Sequence, residues 1–147
     1  MDIQFTSDDG TVKPGDIMYE WSKIFIAAGE TMGRTFTIAR DSKRLLEEVG
    51  FVDVVEKKYK IPVGAWMEDP KWKEIGRWDL LYLTTGLEGM ALYILKHVLG
   101  VSSPFPLTYW GVFETDSSQW EFVEIQVYLA KMRKALLSRK THGYYGM

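Results

Sequence analysis

Between Leu80 and Leu95 the chain carries one ionisable carboxylate or cation, Glu88, in a run otherwise made of apolar residues, threonine, tyrosine and glycine. A helix drawn through this run is apolar on every side, a pattern that belongs in the middle of a core rather than on a surface. A membrane span fits it poorly, because Gly86, Glu88 and Gly89 interrupt the stretch. Just upstream lie Trp66, Trp72, Arg77 and Trp78. The segment from Ile61 to Gly100 is therefore expected to organise the fold, with the tryptophans on a connection and Arg77 and Trp78 leading into a buried central helix.

With 147 residues the chain fits one domain, 1–147, able to hide about two-thirds of its unfolded surface. A formal charge of −2 with no basic block argues against a nucleic-acid partner held through phosphates. Absence of cysteine excludes disulfides, thiol catalysis and thiolate metal sites. Two histidines, His97 and His142, are too few for a usual zinc or iron centre, so no metal is expected. The acidic start MDIQFTSDDG has no apolar run of a secretory signal, which makes a cytoplasmic protein without a membrane span the expectation.

In chain order, DIQFT reads as a strand end, and SDDGTVKPGD as turns leading to a helix over Asp16 to Met32 with Asp16 at its N-cap. Ile17, Trp21, Ile24, Phe25 and Ala28 recur at helical spacing until Gly33. A second helix over Asp41 to Val49 is expected to bury Leu45, Leu46 and Val49 and to stop at Gly50. FVDVVEKKYKI then alternates as a strand ended by Pro62, with Phe51, Val55, Tyr59 and Ile61 on one side. After the long helix come 101–119, an irregular insert or lid with Phe105, Tyr109, Trp110 and Phe113. Trp120 to Lys140 restores an amphipathic helix, whose stripe is Phe122, Ile125, Leu129, Met132 and Leu136, before a short terminal strand in THGYYGM.

Three ordered segments, RLLEEVGFVDVVEKKYKIPVGAW, DPKWKEIGRWDLLYLTTGLEGMALYILKHVLG and EIQVYLAKMRKALLSRKTHGYY, resemble the C-terminal half of class I S-adenosylmethionine-dependent methyltransferases of the fungal secondary-metabolism branch. The resemblance covers most of the chain outside 101–119. It implies an α+β, predominantly helical remnant of a Rossmann-like fold with a small residual sheet, on the side of the family that receives the methyl acceptor. The family's cofactor loop, glycine-rich and followed by an acidic residue for the ribose, has no counterpart here: there is no G-x-G, and Gly86 and Gly89 fall inside a helix. No cofactor is therefore expected. A sheet lacking its first strands exposes an edge, which a second copy would cover, so a homodimer is expected.

Among single residues Glu88 stands out. Its helical neighbours are Leu81, Thr84, Thr85, Ala91, Leu92 and Leu95, so burial would make it a proton or hydrogen-bond donor, or else a structural carboxylate paired with Arg77 or Arg133. Arg77 could polarise a carbonyl or enolate beside the Trp78 wall. Trp66, Trp72, Trp78, Tyr82, Trp110 and His97 are the candidate walls of an apolar small-molecule site; each is also read as core or as a helix-end residue.

Three functions follow from these readings. The first is a cofactor-independent cyclase or isomerase, including pericyclic ring closure of the Diels-Alder type, which needs a shaped apolar pocket and one or two polar donors. The second is a non-catalytic methyltransferase-like binding or partner module. The third is a fragment of an S-adenosylmethionine-dependent methyltransferase completed by another chain.

Overall fold

The computed structural model describes residues 2–98 and 122–146, without the side chains of Lys96, His97 and Phe122. The insert 101–119, and Trp110 with it, lies outside the described residues. In order the elements are α1 (Ile17–Thr31), α2 (Ile38–Glu48), β1 (Lys60–Pro62), α3 (Pro70–Tyr93) running on into a π-helical turn (Ile94–Val98), α4 (Phe122–Leu136) and β2 (Tyr144–Gly146). The described chain is mostly helical with a two-stranded antiparallel sheet, Ile61 opposite Tyr145. Thr6 bridges to the other side of β2 through paired amide–carbonyl bonds with Tyr144, so DIQFT contributes a bridge where a strand end was expected.

The core forms where α1, α3 with its π-helical turn, and α4 meet. Trp21 stacks on Phe25 (4.6 Å) and on Tyr128 (5.9 Å), and Leu87, Leu95, Ile125, Leu129 and Met132 close the interior. The stripes expected of α1 and α4 point inward, Ile17 being half-buried and the Phe122 side chain undescribed. Asp16 does occupy the α1 N-cap, yet its carboxylate turns back to accept from the Lys13 amide (2.9 Å) instead of capping the helix. Ser22, buried in α1, donates to the Met18 carbonyl and accepts from the Phe5 amide at 2.9 Å, tying the N-terminal segment to the helix.

Four expectations are corrected. The long helix begins at Pro70, because Asp69 accepts from the Lys71 and Trp72 amides while Pro70 supplies a first position that needs no donor; Trp72, Arg77 and Trp78 therefore lie inside it. It is not buried on all sides: Gly76, Leu80, Leu83, Leu87 and Ala91 turn inward, whereas Arg77, Trp78, Leu81, Tyr82, Thr85 and Glu88 face out. Thirdly, α2 starts three residues early, at Ile38, and buries none of its side chains; Leu45, Leu46 and Val49 are exposed. The strand expected from Phe51 is confined to Lys60–Pro62, and residues 51–59 run exposed but for half-buried Val54.

A close approach positions α3 against the sheet. The Gly64 amide donates to the Gly76 carbonyl at 2.9 Å, and a Cβ on Gly76 would lie 3.0 Å from the Gly64 carbonyl carbon and closer still to its oxygen. Gly64 itself has φ +91°, a left-handed conformation that glycine adopts without strain. These two glycines let helix and arch touch backbone to backbone.

Candidate functional site

The outward stripe of α3 collects four of the eight sequence candidates, Arg77, Trp78, Tyr82 and Glu88. Trp78 is 65% exposed and Tyr82 64% exposed. Pro70, Lys73, Glu74, Arg77, Trp78 and Leu81 line a hollow of about 630 Å³. All six belong to one helix, so the described residues supply one wall; a site that encloses a ligand needs a second. Arg77 and Trp78 do share this hollow, as a cation beside a ring.

Glu88 is exposed, and its Oε1 accepts from the Gln126 side chain at 3.1 Å rather than from Arg77 or Arg133. Burial falls on Asp79 instead. Glu88 follows Asp79 by nine positions, about two and a half turns, so the two carboxylates occupy opposite faces of α3. Asp79 Oδ1 accepts from the Tyr145 hydroxyl and its Oδ2 is buried with no hydrogen-bond partner among the described residues. Desolvation pushes the Asp79 carboxyl above the usual carboxylate range against the opposing pull of the Tyr145 bond. Tyr145 is itself raised well above an ordinary phenol, first by burial and then by the carboxylate it bonds. The ring of Tyr145 meets Phe5 edge-on at 5.8 Å. This pair joins α3 to β2 and was missed because no pattern distinguishes an inward Asp79 from a solvent one until the helix phase is known.

Trp66 lies apart from the α3 stripe. Its indole donates to the Gly143 carbonyl at 3.2 Å and its ring sits 5.4 Å from that of His142. With Leu80, Leu136, Leu137, Ser138, Arg139 and others it lines a smaller hollow of about 350 Å³ whose walls come from the 63–66 arch, α3 and the end of α4 with the turn after it. Trp72, half-buried, tilts against Tyr59 at 6.2 Å. His97 lies in the π-helical turn. The described candidates thus fall into four separate places rather than one chamber.

A polar cluster holds the first turn onto β2. Asp8 bonds Lys60 (2.6 Å) and the Tyr144 hydroxyl (2.7 Å), and Asp9 lies 2.6 Å from His142 Nδ1. Asp9 also accepts from the Thr11 hydroxyl and amide, and these bonds, then that of His142, hold it well below the usual carboxylate range. No group of three or more histidine or acidic residues suited to a metal ion occurs among the described residues, nor is any described helix long and apolar enough to cross a membrane.

Among known proteins, the chain is 26% identical over 140 residues to the probable methyltransferase tdiE of Emericella nidulans, covering 95% of this chain and 38% of that one. It is 26% identical over 145 residues to the secondary metabolism regulator LAE1 of Cochliobolus heterostrophus, covering 98% of this chain and 41% of the relative. To the methyltransferase pytC of Aspergillus terreus it is 34% identical over 94 residues, 64% of this chain and 29% of that protein. The chain is a distant relative of fungal methyltransferases and secondary-metabolism regulators, and spans well under half the length of each. No protein-family model matches it, and no solved structure gives a significant match.

Proposed function

We propose that this chain is a methyltransferase-type module of fungal secondary metabolism, corresponding to the acceptor side of the fold, which works by docking to a longer methyltransferase-type polypeptide. The observation that carries this reading is the outward stripe of α3. Trp78, Leu81 and Tyr82 are all more than half exposed, on a helix whose opposite face is core, and apolar rings collected in one stripe mark a surface built to be covered. The occupant follows from the relatives: tdiE and LAE1 each have more than half their length outside the match, which is polypeptide against which the equivalent of this module would pack. The docked chain supplies the second wall of the Arg77–Trp78 hollow, and the acceptor is an apolar small molecule held there.

The test mixes the purified chain with the full-length methyltransferase relative from the same genome and measures mass by light scattering. A stable complex that Trp78→Ala weakens about tenfold or more, as expected for a buried aromatic anchor, supports the reading. Absence of a complex at concentrations up to about 100 μM defeats it, since such a Kd is weaker than about −5.5 kcal/mol of binding.

A second reading has an observation of its own. Arg77 and Trp78 lie side by side in a hollow of about 630 Å³, the pairing that a cofactor-independent cyclase or isomerase would use to polarise a carbonyl against an apolar wall. Glu88 would then act from the next turns of the same face. Incubating the chain alone with the intermediate that accumulates on deleting its gene separates the readings: product formed without a partner, and lost in Arg77→Ala, supports catalysis by this chain.

A further inference from the structure

The approach to the sheet offers a second surface left exposed among the described residues, distinct from the α3 stripe. Phe51 is 60% exposed, Val52 84%, Val55 80% and Tyr59 47%. Residues 52–59 form no backbone–backbone hydrogen bond among the described residues. They lead directly into β1, which pairs with β2 on one side, while β2 takes Thr6 on its other side. An exposed segment that carries Phe51, Val52, Val55 and Tyr59 among charged residues, makes no backbone–backbone hydrogen bond among the described residues beyond Phe51, and leads into a sheet strand can be drawn out as a template for strand addition.

The geometry points to a second copy of this chain as the occupant: we propose that residues 51–59 of two copies pair antiparallel about a two-fold axis through Val55. In a two-fold antiparallel ribbon, residues equidistant from the centre face each other. Centred on Val55, Phe51 meets Tyr59 and Asp53 meets Lys57, each twice, with Val55 opposite itself. Aromatic pairs and opposite charges directly across a ribbon are favourable, and like charges are not. Moving the centre by half a residue toward Glu56 keeps an acid–lysine pair, Asp53 with Lys58, but sets Val54 against Lys57 and Val52 against Tyr59 and forfeits the aromatic pairs. Ring complementarity thus specifies the register, and the Asp53–Lys57 pairs agree with it. Phe51 of the second copy would also join the Tyr59–Trp72 ring contact.

One backbone feature must change. Asp53 has φ +56°, a left-handed bend that aspartate tolerates better than most residues but a strand does not accommodate. Pairing draws Asp53 back into the extended range, where its carboxylate faces Lys57 of the other copy.

The chain has no cysteine, so single-cysteine variants report the register without background. The test uses the full chain with Val55→Cys and, separately, Val52→Cys under mild oxidation. In the proposed register the two sulfurs introduced by Val55→Cys approach at bridging distance, whereas residue 52 lies opposite residue 58, too far from its own counterpart to bridge. Rapid dimer cross-linking at 55 with little at 52 is expected; equal cross-linking at both positions overturns the proposal. Asp53→Lys should weaken the dimer about tenfold by placing like charges across both pairs, and adding Lys57→Asp should restore it. A double exchange that stays weak, or light scattering that shows a monomer for the unmodified chain up to about 100 μM, also overturns it. Circular dichroism checks that the variants fold, as substitutions at exposed positions 53 and 57 allow. Dimerisation through this edge and docking to a longer chain through α3 are separate outcomes, so either can fail while the other stands.

Discussion

Replacing Gly76 with alanine tests the packing that places α3. The new Cβ would sit 3.0 Å from the Gly64 carbonyl carbon, nearer its oxygen, and 3.2 Å from Pro62 Cγ. Carbon atoms in contact prefer about 3.5–4.0 Å, and the carbonyl oxygen is nearer still, so helix and arch must part by about 1 Å or more. The obstacle is backbone, which cannot rotate aside as a side chain would. Separation stretches the 2.9 Å bond from the Gly64 amide to the Gly76 carbonyl, worth about 0.5–1.5 kcal/mol, and overpacking adds about 1–3 kcal/mol. Against this, alanine gains about 1 kcal/mol over glycine in a helix. The net is a destabilisation of about 1–3 kcal/mol, or roughly 2–12 °C in Tm for a chain of this size. Gly89 on the same helix is the control, because a Cβ there meets nothing within 4 Å; Gly89→Ala should stabilise by up to about 1 kcal/mol. Thermal and urea unfolding of the two variants should therefore shift in opposite directions. If Gly76→Ala proves as stable as the parent, the backbone contact between α3 and the arch is wrong.

Tyr145→Phe keeps the edge-on contact with Phe5 but removes the donor to Asp79, and should cost about 1–3 kcal/mol in urea unfolding because a buried carboxylate loses its bond. Asp79 has a folded pKa raised above its unfolded value, so the folded state holds that proton more readily and this residue's contribution weakens as pH rises from the ordinary carboxylate range through the raised value. The Tm of Asp79→Asn relative to the parent should accordingly climb with pH across that window; a flat difference would show that desolvation does not govern the site. Asp9 has the opposite sign: its contribution is present above the ordinary carboxylate pKa and disappears as pH falls through its lowered folded value. Asp9→Asn should remove part of the acid-side loss of stability, followed by melts between about pH 5 and 2.

Much of the helical layout could be read from the sequence, because α1 and α4 carry simple inward stripes. Trp21, Ile24 and Phe25, and Ile125, Leu129 and Met132, recur at helical spacing and are buried. The central helix was misread for a specific reason: it is apolar on two faces, and periodicity cannot say which face the core takes. Had the Asp69–Pro70 start been recognised, the phase through Gly76, Leu80, Leu83, Leu87 and Ala91 would have put Asp79 inside and Glu88 outside. For α2, the Leu45 and Leu46 pattern is that of an amphipathic helix, but among the described residues no element packs closely on it. A bidentate bond from Arg40 to Asp2, at 2.5 and 3.0 Å, ties it to the N-terminal segment. The clusters joining Asp8 and Asp9 to Lys60, His142 and Tyr144 span more than fifty residues of sequence, and pair chemistry at that separation leaves no local signature.

The central claim is that the outward α3 stripe is an interface. Hydrogen exchange of the chain alone and mixed with its full-length methyltransferase relative measures this directly, because side-chain burial on docking slows exchange of the underlying helix amides. The account predicts added protection centred on residues 77–82, absent in Trp78→Ala. Unchanged exchange there, in a mixture whose relative is folded and in excess, would contradict it.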